Sequence, residues 1–318
     1  MKRYLLALLI ACPFIGFSQT ESEAKKDTTY WKKGGAVSLT ANATTLANWS
    51  AGGVDSWSGG SFFNYFFDFK KGSTVWKNTI DMGFGFIQES GSDLKKADDR
   101  IILTSQYGSK IGESKWYYNA MLDFRTQFAE GYNVDDPDNY ISKFMAPGYL
   151  LATIGFDYKP TDYFDVSIGP LSGKTTFVMD QRLADLGSFG VEGADRDNNG
   201  VIIAGTGQQV RYEFGATVKA SFNKEIMKNT TLVSNLLLFS NYMKNPEKID
   251  VNWENALTLK VNDFFSASVF LQTIYDYDIK FYENDINGDP DLSTEEDRWQ
   301  FKSVVGLGLS YKFGAKRS

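Results

Sequence analysis

The chain has no histidine, and Cys12 is the single cysteine among its 318 residues. Catalysis on a histidine base is therefore excluded, as are zinc sites built from His or Cys and any disulfide within the chain. Positive charge is also in deficit, with 33 Lys and Arg against 39 Asp and Glu. That balance gives no reason to expect nucleic acid as a partner. Beyond the first eighteen residues no run approaches the roughly 20 apolar residues a membrane helix requires. The stretch TLVSNLLLFS, ending at Ser240, is broken by polar residues every few positions. Proline is scarce as well, at 7.

What the chain does contain is aromatic and glycine residues. Phe 25, Tyr 17, Trp 7 and Gly 29 favour strands and tight turns over helices. Mean hydropathy is −0.30, a value shared by soluble proteins and by transmembrane barrels, in which every second strand residue meets lipid.

The N-terminus reads as an export signal. Lys2 and Arg3 precede an apolar run from Leu5 to Phe17, and Gly16 and Ser18 supply small residues for cleavage after Ser18. A lipobox reading of Leu9, Ile10, Ala11 and Cys12 would leave a very short leader and an apolar segment after the acylated cysteine, so Cys12 is assigned to the leader. Residues 19–33 are then a periplasmic segment, 34–313 a β-domain and 314–318 a tail.

From Gly34 onward, alternating segments recur with turn signals between them. Strands are expected at Gly35 to Asn42, Ser61 to Lys70, Thr74 to Gln88, Arg100 to Lys110, Trp116 to Phe128 and Gly148 to Lys159. The second half adds Tyr163 to Pro170, Gln209 to Phe222, Thr230 to Tyr242, Ile249 to Val261, Phe264 to Tyr275 and Trp299 to Phe313. In Trp116 to Phe128, Tyr118, Ala120, Leu122 and Phe124 share one face and Asn119, Asp123, Arg125 and Gln127 the other. Val210 to Phe222 and Trp299 to Phe313 alternate as cleanly, whereas the Thr230 segment does not disclose its faces.

The links between segments alternate in length. Those at residues 70–73, 111–114, 159–162, 223–229 and 261–263 are short; those at 44–60, 89–99, 129–147, 171–208, 243–248 and 276–298 are long. One trimmed rim and one elaborated rim, about twelve strands, aromatics at strand ends and a terminal strand GLGLSYKF ending on Phe313 together describe an all-β, up-and-down transmembrane barrel. Its apolar face meets lipid, and both termini return to the periplasmic side.

Three stretches, LANWSAGGVDSWSG, LFSNY and DVNWEN, resemble an uncharacterised family of Bacteroidota outer-membrane proteins, a domain of unknown function, over about Trp31 to Phe313. The resemblance implies a Gram-negative outer-membrane barrel and brings no activity and no catalytic residues.

Polar alternate positions nominate a lumen lined by Asp81, Asp123, Arg125, Asp157, Arg211, Glu213, Lys219, Glu254, Lys260 and Lys302. Charges of both signs facing one cavity pair with each other, so no enzyme is expected, although a Ser/Lys or paired-carboxylate site is conceivable from such residues. Two readings stay open. One is a narrow channel for small polar solutes. The other is an accessory subunit whose external loops, with Trp49 and Trp57 among glycines, contact lipopolysaccharide or outer-membrane protein partners. The terminal strand resembles the signal read by the barrel-insertion machinery.

Asp195, Asp197 and Asn199, followed by Gly200, match the opening of a calcium loop, in which alternating oxygens converge on one ion. Thr206 stands where the closing glutamate belongs, and Glu192 could substitute only by folding back. A second copy offers Glu283, Asp285, Asn287, Gly288 and Asp289. Affinity there would be weak, on the order of 10⁻⁴ to 10⁻³ M; the competing reading is a solvated acidic turn.

Overall fold

The computed structural model describes residues 30–45, 55–132, 138–198, 200–284, 290–315 and 317. The leader with Cys12, and Trp49, lie outside them. The strands are β1 (Trp31–Thr44), β2 (Ser56–Lys71), β3 (Thr74–Glu89), β4 (Lys95–Lys110), β5 (Trp116–Thr126), β6 (Gly131–Tyr132), β7 (Tyr140–Ser142), β8 (Gly148–Thr161), β9 (Phe164–Phe177), β10 (Val210–Met227), β11 (Thr230–Asn241), β12 (Ile249–Lys260), β13 (Phe265–Tyr275), β14 (Phe281–Asn284), β15 (Pro290–Glu296) and β16 (Gln300–Gly314). Twelve of them close an antiparallel barrel in the order β1-β16-β13-β12-β11-β10-β9-β8-β5-β4-β3-β2. The pairs β6–β7 and β14–β15 are small ribbons in the long loops, which the sequence reading did not anticipate.

The alternation of β5 settles which face is wet. Tyr118 and Leu122 point outward at 58% and 53% exposure, while Asn119, Met121 and Asp123 are buried inside. Across the sheet Leu103, Ile154, Phe156, Tyr212, Phe214, Phe301, Val305 and Leu307 are exposed in the same sense. A water-soluble barrel would turn this surface inward, so its outward display marks a wall that spans lipid.

Aromatic residues gather at both edges of the apolar band. Near the rim of short turns, Trp31 packs on Phe69 and Trp76 with ring centroids 5.2 and 5.9 Å apart, and Trp116 on Tyr158 at 4.9 Å. Near the opposite rim, Trp57 meets Phe86 at 5.2 Å and Tyr275 meets Trp299 at 5.0 Å. Polar groups on this face satisfy one another, as hydrocarbon demands. Trp76 Nε1 donates to Ser105 Oγ at 2.8 Å, Ser105 to Asn78 Oδ1 at 2.8 Å, and Trp253 Nε1 to Ser234 Oγ at 3.0 Å.

The segment expected at Tyr163 to Pro170 is in fact the full-length β9, and the loop after it begins at Val178 rather than Leu171. The reason is a bulge. The β8–β9 register shifts between Ile154 and Phe156, and the β9–β10 register shifts between Gly215 and Thr217, both opposite Gly169 to Ser172. Pro170, which has no N–H to give a ladder, sits in this bulge, where a strand tolerates it. The lumen side passes there from Ser167 and Gly169 to Ser172 and Lys174, so the alternation changes phase and reads as a strand end. Gly155 permits the backbone approach: a Cβ on it would stand 2.0 Å from the Ile168 carbonyl oxygen.

The other links also tighten. β10 runs to Met227, which leaves only Lys228 and Asn229 between it and β11, and β4 starts at Lys95 inside the stretch read as loop. Lengths of short and long connection still alternate, with the β1 start and β16 end at the short-turn rim.

Replacing Leu122 with Arg at this outward position is expected to destabilise the folded barrel by about 2–4 kcal/mol, measured by equilibrium refolding into phospholipid vesicles. Leu122→Ala should cost distinctly less.

Candidate functional site

The barrel interior is crossed by ion pairs. Arg125 on β5 binds its neighbour Asp123 at 2.6 Å and reaches over the lumen to Glu254 on β12 at 3.0 Å. By the shorter way round the wall, four strands separate those two. Thr104 donates to Asp123 at 2.9 Å, and Gln272 donates to Glu254 at 3.2 Å. A second crossing joins Lys302 on β16 to Asp98 on β4 at 2.7 Å. Arg100 bridges Asp98 and Asp81, both at 2.8 Å, while its guanidinium lies over Phe62 and Phe270 at 5.3 and 5.9 Å.

Toward the long-loop mouth, Lys174 holds Asp250 at 2.7 Å and Asp276 at 3.1 Å. Arg211 pairs with Glu213 at 2.9 Å and with Asp278 of the β13–β14 connection at 3.0 Å. At the other end Asp157, with no exposed surface, accepts from Ser167 at 2.6 Å, from Gln106 at 2.9 Å and from Asn119, and pairs with Lys159 at 3.1 Å. Arg317 of the tail turns back to Asp68 at 2.9 Å and Thr79 at 2.7 Å. Carboxylates at these depths are tolerated because each has a cation and further donors.

Not all of the filling is polar. Met121, Leu151 and Phe239 form a buried cluster with Leu237 inside the barrel. These residues identify the faces of β11 that periodicity left unassigned: Asn235, Leu237 and Phe239 lie opposite Ser221, Lys219 and Thr217 and face the lumen. Between this cluster and the Arg125–Glu254 tie remains a cavity of about 20 Å³, room for roughly one water.

Nine of the ten residues expected along the lumen are on its wall. Lys260 is the exception. It has the right parity on β12 but lies at the rim, exposed and paired with Asp263 of the turn at 2.7 Å. Alternation assigns a face and says nothing of height. Sequence reading missed Asp98, Arg100, Lys174 and Asp276. Asp98 and Lys174 fell in stretches read as loop, Asp276 lies just beyond β13, and Arg100 opened an expected strand without being assigned to the lumen; the alternation of Asp98, Arg100, Ile102 and Thr104 was the available signal.

Over the long-loop mouth sits a cap. Its helix α1 (Gln181–Asp185) is capped by Asp180, whose carboxylate accepts from the Leu183 N–H at 2.9 Å and from Tyr140 Oη at 2.8 Å and pairs with Lys143. Ala146, Val178, Leu183, Ala184 and Val191 are buried beneath, joining the β5–β8 and β9–β10 loops. Burial alone would push the Asp180 carboxyl up, but the bonds from Lys143, Leu183 and Tyr140 outweigh it and hold it at about 2. Asp185 ties in the rest of the loop by accepting from the Gly205 and Gly207 N–H groups at 2.8 and 3.0 Å.

The calcium motif lies in that loop. The Asp197 carboxylate accepts from Val201 N–H at 2.9 Å, and the Asp195 N–H donates to Thr206 Oγ1 at 2.9 Å. Asn199 is outside the described residues, as are residues 285–289 of the second copy. Among the described residues no three His, Cys, Asp or Glu side chains gather as a metal site.

A family model described as "Protein of unknown function (DUF3078)" matches residues 41–132. No curated protein matches. Among solved structures, the COG4313 outer membrane channel from Pseudomonas putida F1 is similar at 12% identity over 89% of this chain and 96% of its own, with a TM-score of 0.39. The translocator domain of the autotransporter NalP from Neisseria meningitidis follows at 11% identity, 91% and 90% coverage and 0.33. The toluene transporter TodX of P. putida gives 8%, 91% and 90%, and 0.30. Overlaps this loose carry no argument about what the chain does.

The depressed Asp180 carboxyl gives the cap a pH response, and Asp185, lowered by the Gly205 N–H bond, acts in the same direction. A carboxyl depressed from its ordinary 3.8 contributes stability that is fully present above that value and is lost as pH falls through about 2. The cap is therefore expected to keep its protection between pH 7 and 4 and release near pH 2, whereas Asp180→Ala exposes it to protease at neutral pH. Limited proteolysis of the β9–β10 loop reads both.

Proposed function

We infer that the protein is a non-enzymatic outer-membrane barrel of a Gram-negative cell, a narrow channel for small polar solutes held shut in this conformation. The observation that supports this is the Arg125–Glu254 tie. Groups from opposite walls meet at 3.0 Å by charge, and water or a polar solute can replace such partners. The paired charges at each end, Arg211–Asp278 and Arg317–Asp68, would act as further constrictions. The short-turn rim, with both chain ends, would face the periplasm, and the cap would face outside with lipopolysaccharide around the wall.

A second reading is supported by the ion pairs and the Met121 cluster that cross the lumen. A barrel crossed in this way would serve as an accessory subunit, its long loops contacting outer-membrane partners.

Planar-bilayer recording separates the two. Glu254→Ala removes the crossing and leaves Arg125 with Asp123. It is expected to raise conductance above that of the native protein and to shift preference toward anions, because one negative charge is gone from the lumen. Silence from both proteins would overturn the channel and support the subunit.

A further inference from the structure

The barrel is closed unequally. Strands β1 and β16 pair from Gly34–Gly314 to Thr40–Gly308, seven positions. Among the described residues every other seam pairs ten or more, and β1 keeps all fourteen of its residues on β2, as far as Thr44 with Ser56. On its other side β16 pairs with β13 from Leu309 to Gln300. The ladder joining the first and last strands therefore stops at Thr40 and Gly308. Ala41 to Thr44 and Gln300 to Leu307 are strand on one side and edge on the other.

That gap lies within the apolar band. Trp57 of the long-loop girdle is paired with Ala43, so the unpaired stretch begins below the girdle. Leu39, Val305 and Leu307 beside it are exposed outward. Open sheet edges are not tolerated against hydrocarbon unless they border protein, water or a ligand. A ladder that stops at this depth leaves two strand edges without backbone partners between lumen and leaflet.

The inner wall beside the seam carries small and apolar residues next to the Arg100–Asp98–Lys302 ion pairs. By register, Ser38 and Thr40 of β1, Gly60 and Phe62 of β2, Gly306 and Gly308 of β16, and Ser268 and Phe270 of β13 share it. A Cβ built on Gly306 would meet the Thr40 and Ser268 side chains at 3.7–4.0 Å, ordinary contact, so small residues of three strands lie together here. Val304 has the lumen parity of Lys302 yet remains 38% exposed. The Arg100 guanidinium lies over both phenyl rings, at 5.3 and 5.9 Å, so the part of this wall that suits an alkyl chain is the strip of small residues beside Val304.

We propose that the β1–β16 seam is a lateral portal, through which the acyl chain of a lipid-like ligand passes between the lumen and the leaflet at the long-loop rim. This rests on the membrane-spanning wall and is independent of ionic conduction, so a silent barrel leaves it standing.

The test uses the full-length protein with Cys12→Ser, refolded into vesicles of phosphatidylcholine with or without brominated acyl chains. A bimane label on Val304→Cys, beside the seam, is compared with one on Asn235→Cys, lumen-facing on β11. Acyl chains entering the portal quench the first and not the second; equal quenching of the two overturns the proposal. Should Val304→Cys fail to fold, Ser268→Cys takes its place on the same wall. Separately, Ala41→Cys/Leu307→Cys, the next positions beyond the last pair, is oxidised beside Ser38→Cys/Ser310→Cys, which face each other in the closed part. The closed pair is expected to cross-link fully and the seam pair to lag, with added oleate widening the difference. A seam pair that links as completely as its control, with or without oleate, overturns the portal.

Discussion

A wall exposed to hydrocarbon cannot leave backbone N–H and C=O groups unpaired, and this constraint governs the molecule. It requires that the sheet close, that closure use strands with strict alternation, and that every polar side chain outside the lumen find a neighbour. Trp76, Ser105 and Asn78 meet the last requirement on the outer face. The bulge in β9 meets the second, moving the alternation by one residue so that the strand keeps its apolar side in lipid on both sides of Pro170. Where the constraint is relaxed, at the seam of the first and last strands, the structure is unusual enough to suggest a use.

Inside the barrel the opposite physics applies. Burial makes charge costly unless it is paired, and twelve strands leave a lumen narrow enough for side chains from facing walls to meet. Arg125 with Glu254 and Lys302 with Asp98 are the consequence. These ties, the apolar cluster around Met121 and the returning Arg317 occupy the lumen between its two rims.

The loops divide the labour. One rim is reduced to turns of a few residues; the other carries the cap, in which Asp180 and Asp185 hold a helix and its following loop through hydrogen bonds to backbone N–H groups. The cap has its own buried cluster, so it is an ordered cover on the mouth.

Much of this was legible in the residues. Alternation in Trp116 to Phe128 and Trp299 to Phe313 determined which side chains face lipid, link lengths determined the two rims, and the absence of histidine removed whole classes of chemistry. These properties are local, since a period of two needs only neighbouring residues. What tertiary structure alone decided is everything that depends on distance across the barrel or on height within it. Glu254 meets Arg125 although 129 positions separate them, Lys260 is left at the rim although its parity is that of the lumen, and Leu237 and Phe239 turn inward from a run of leucines apolar on both faces. Such facts follow from closure and stagger, which set which residues share a level, and no periodicity along one strand contains them.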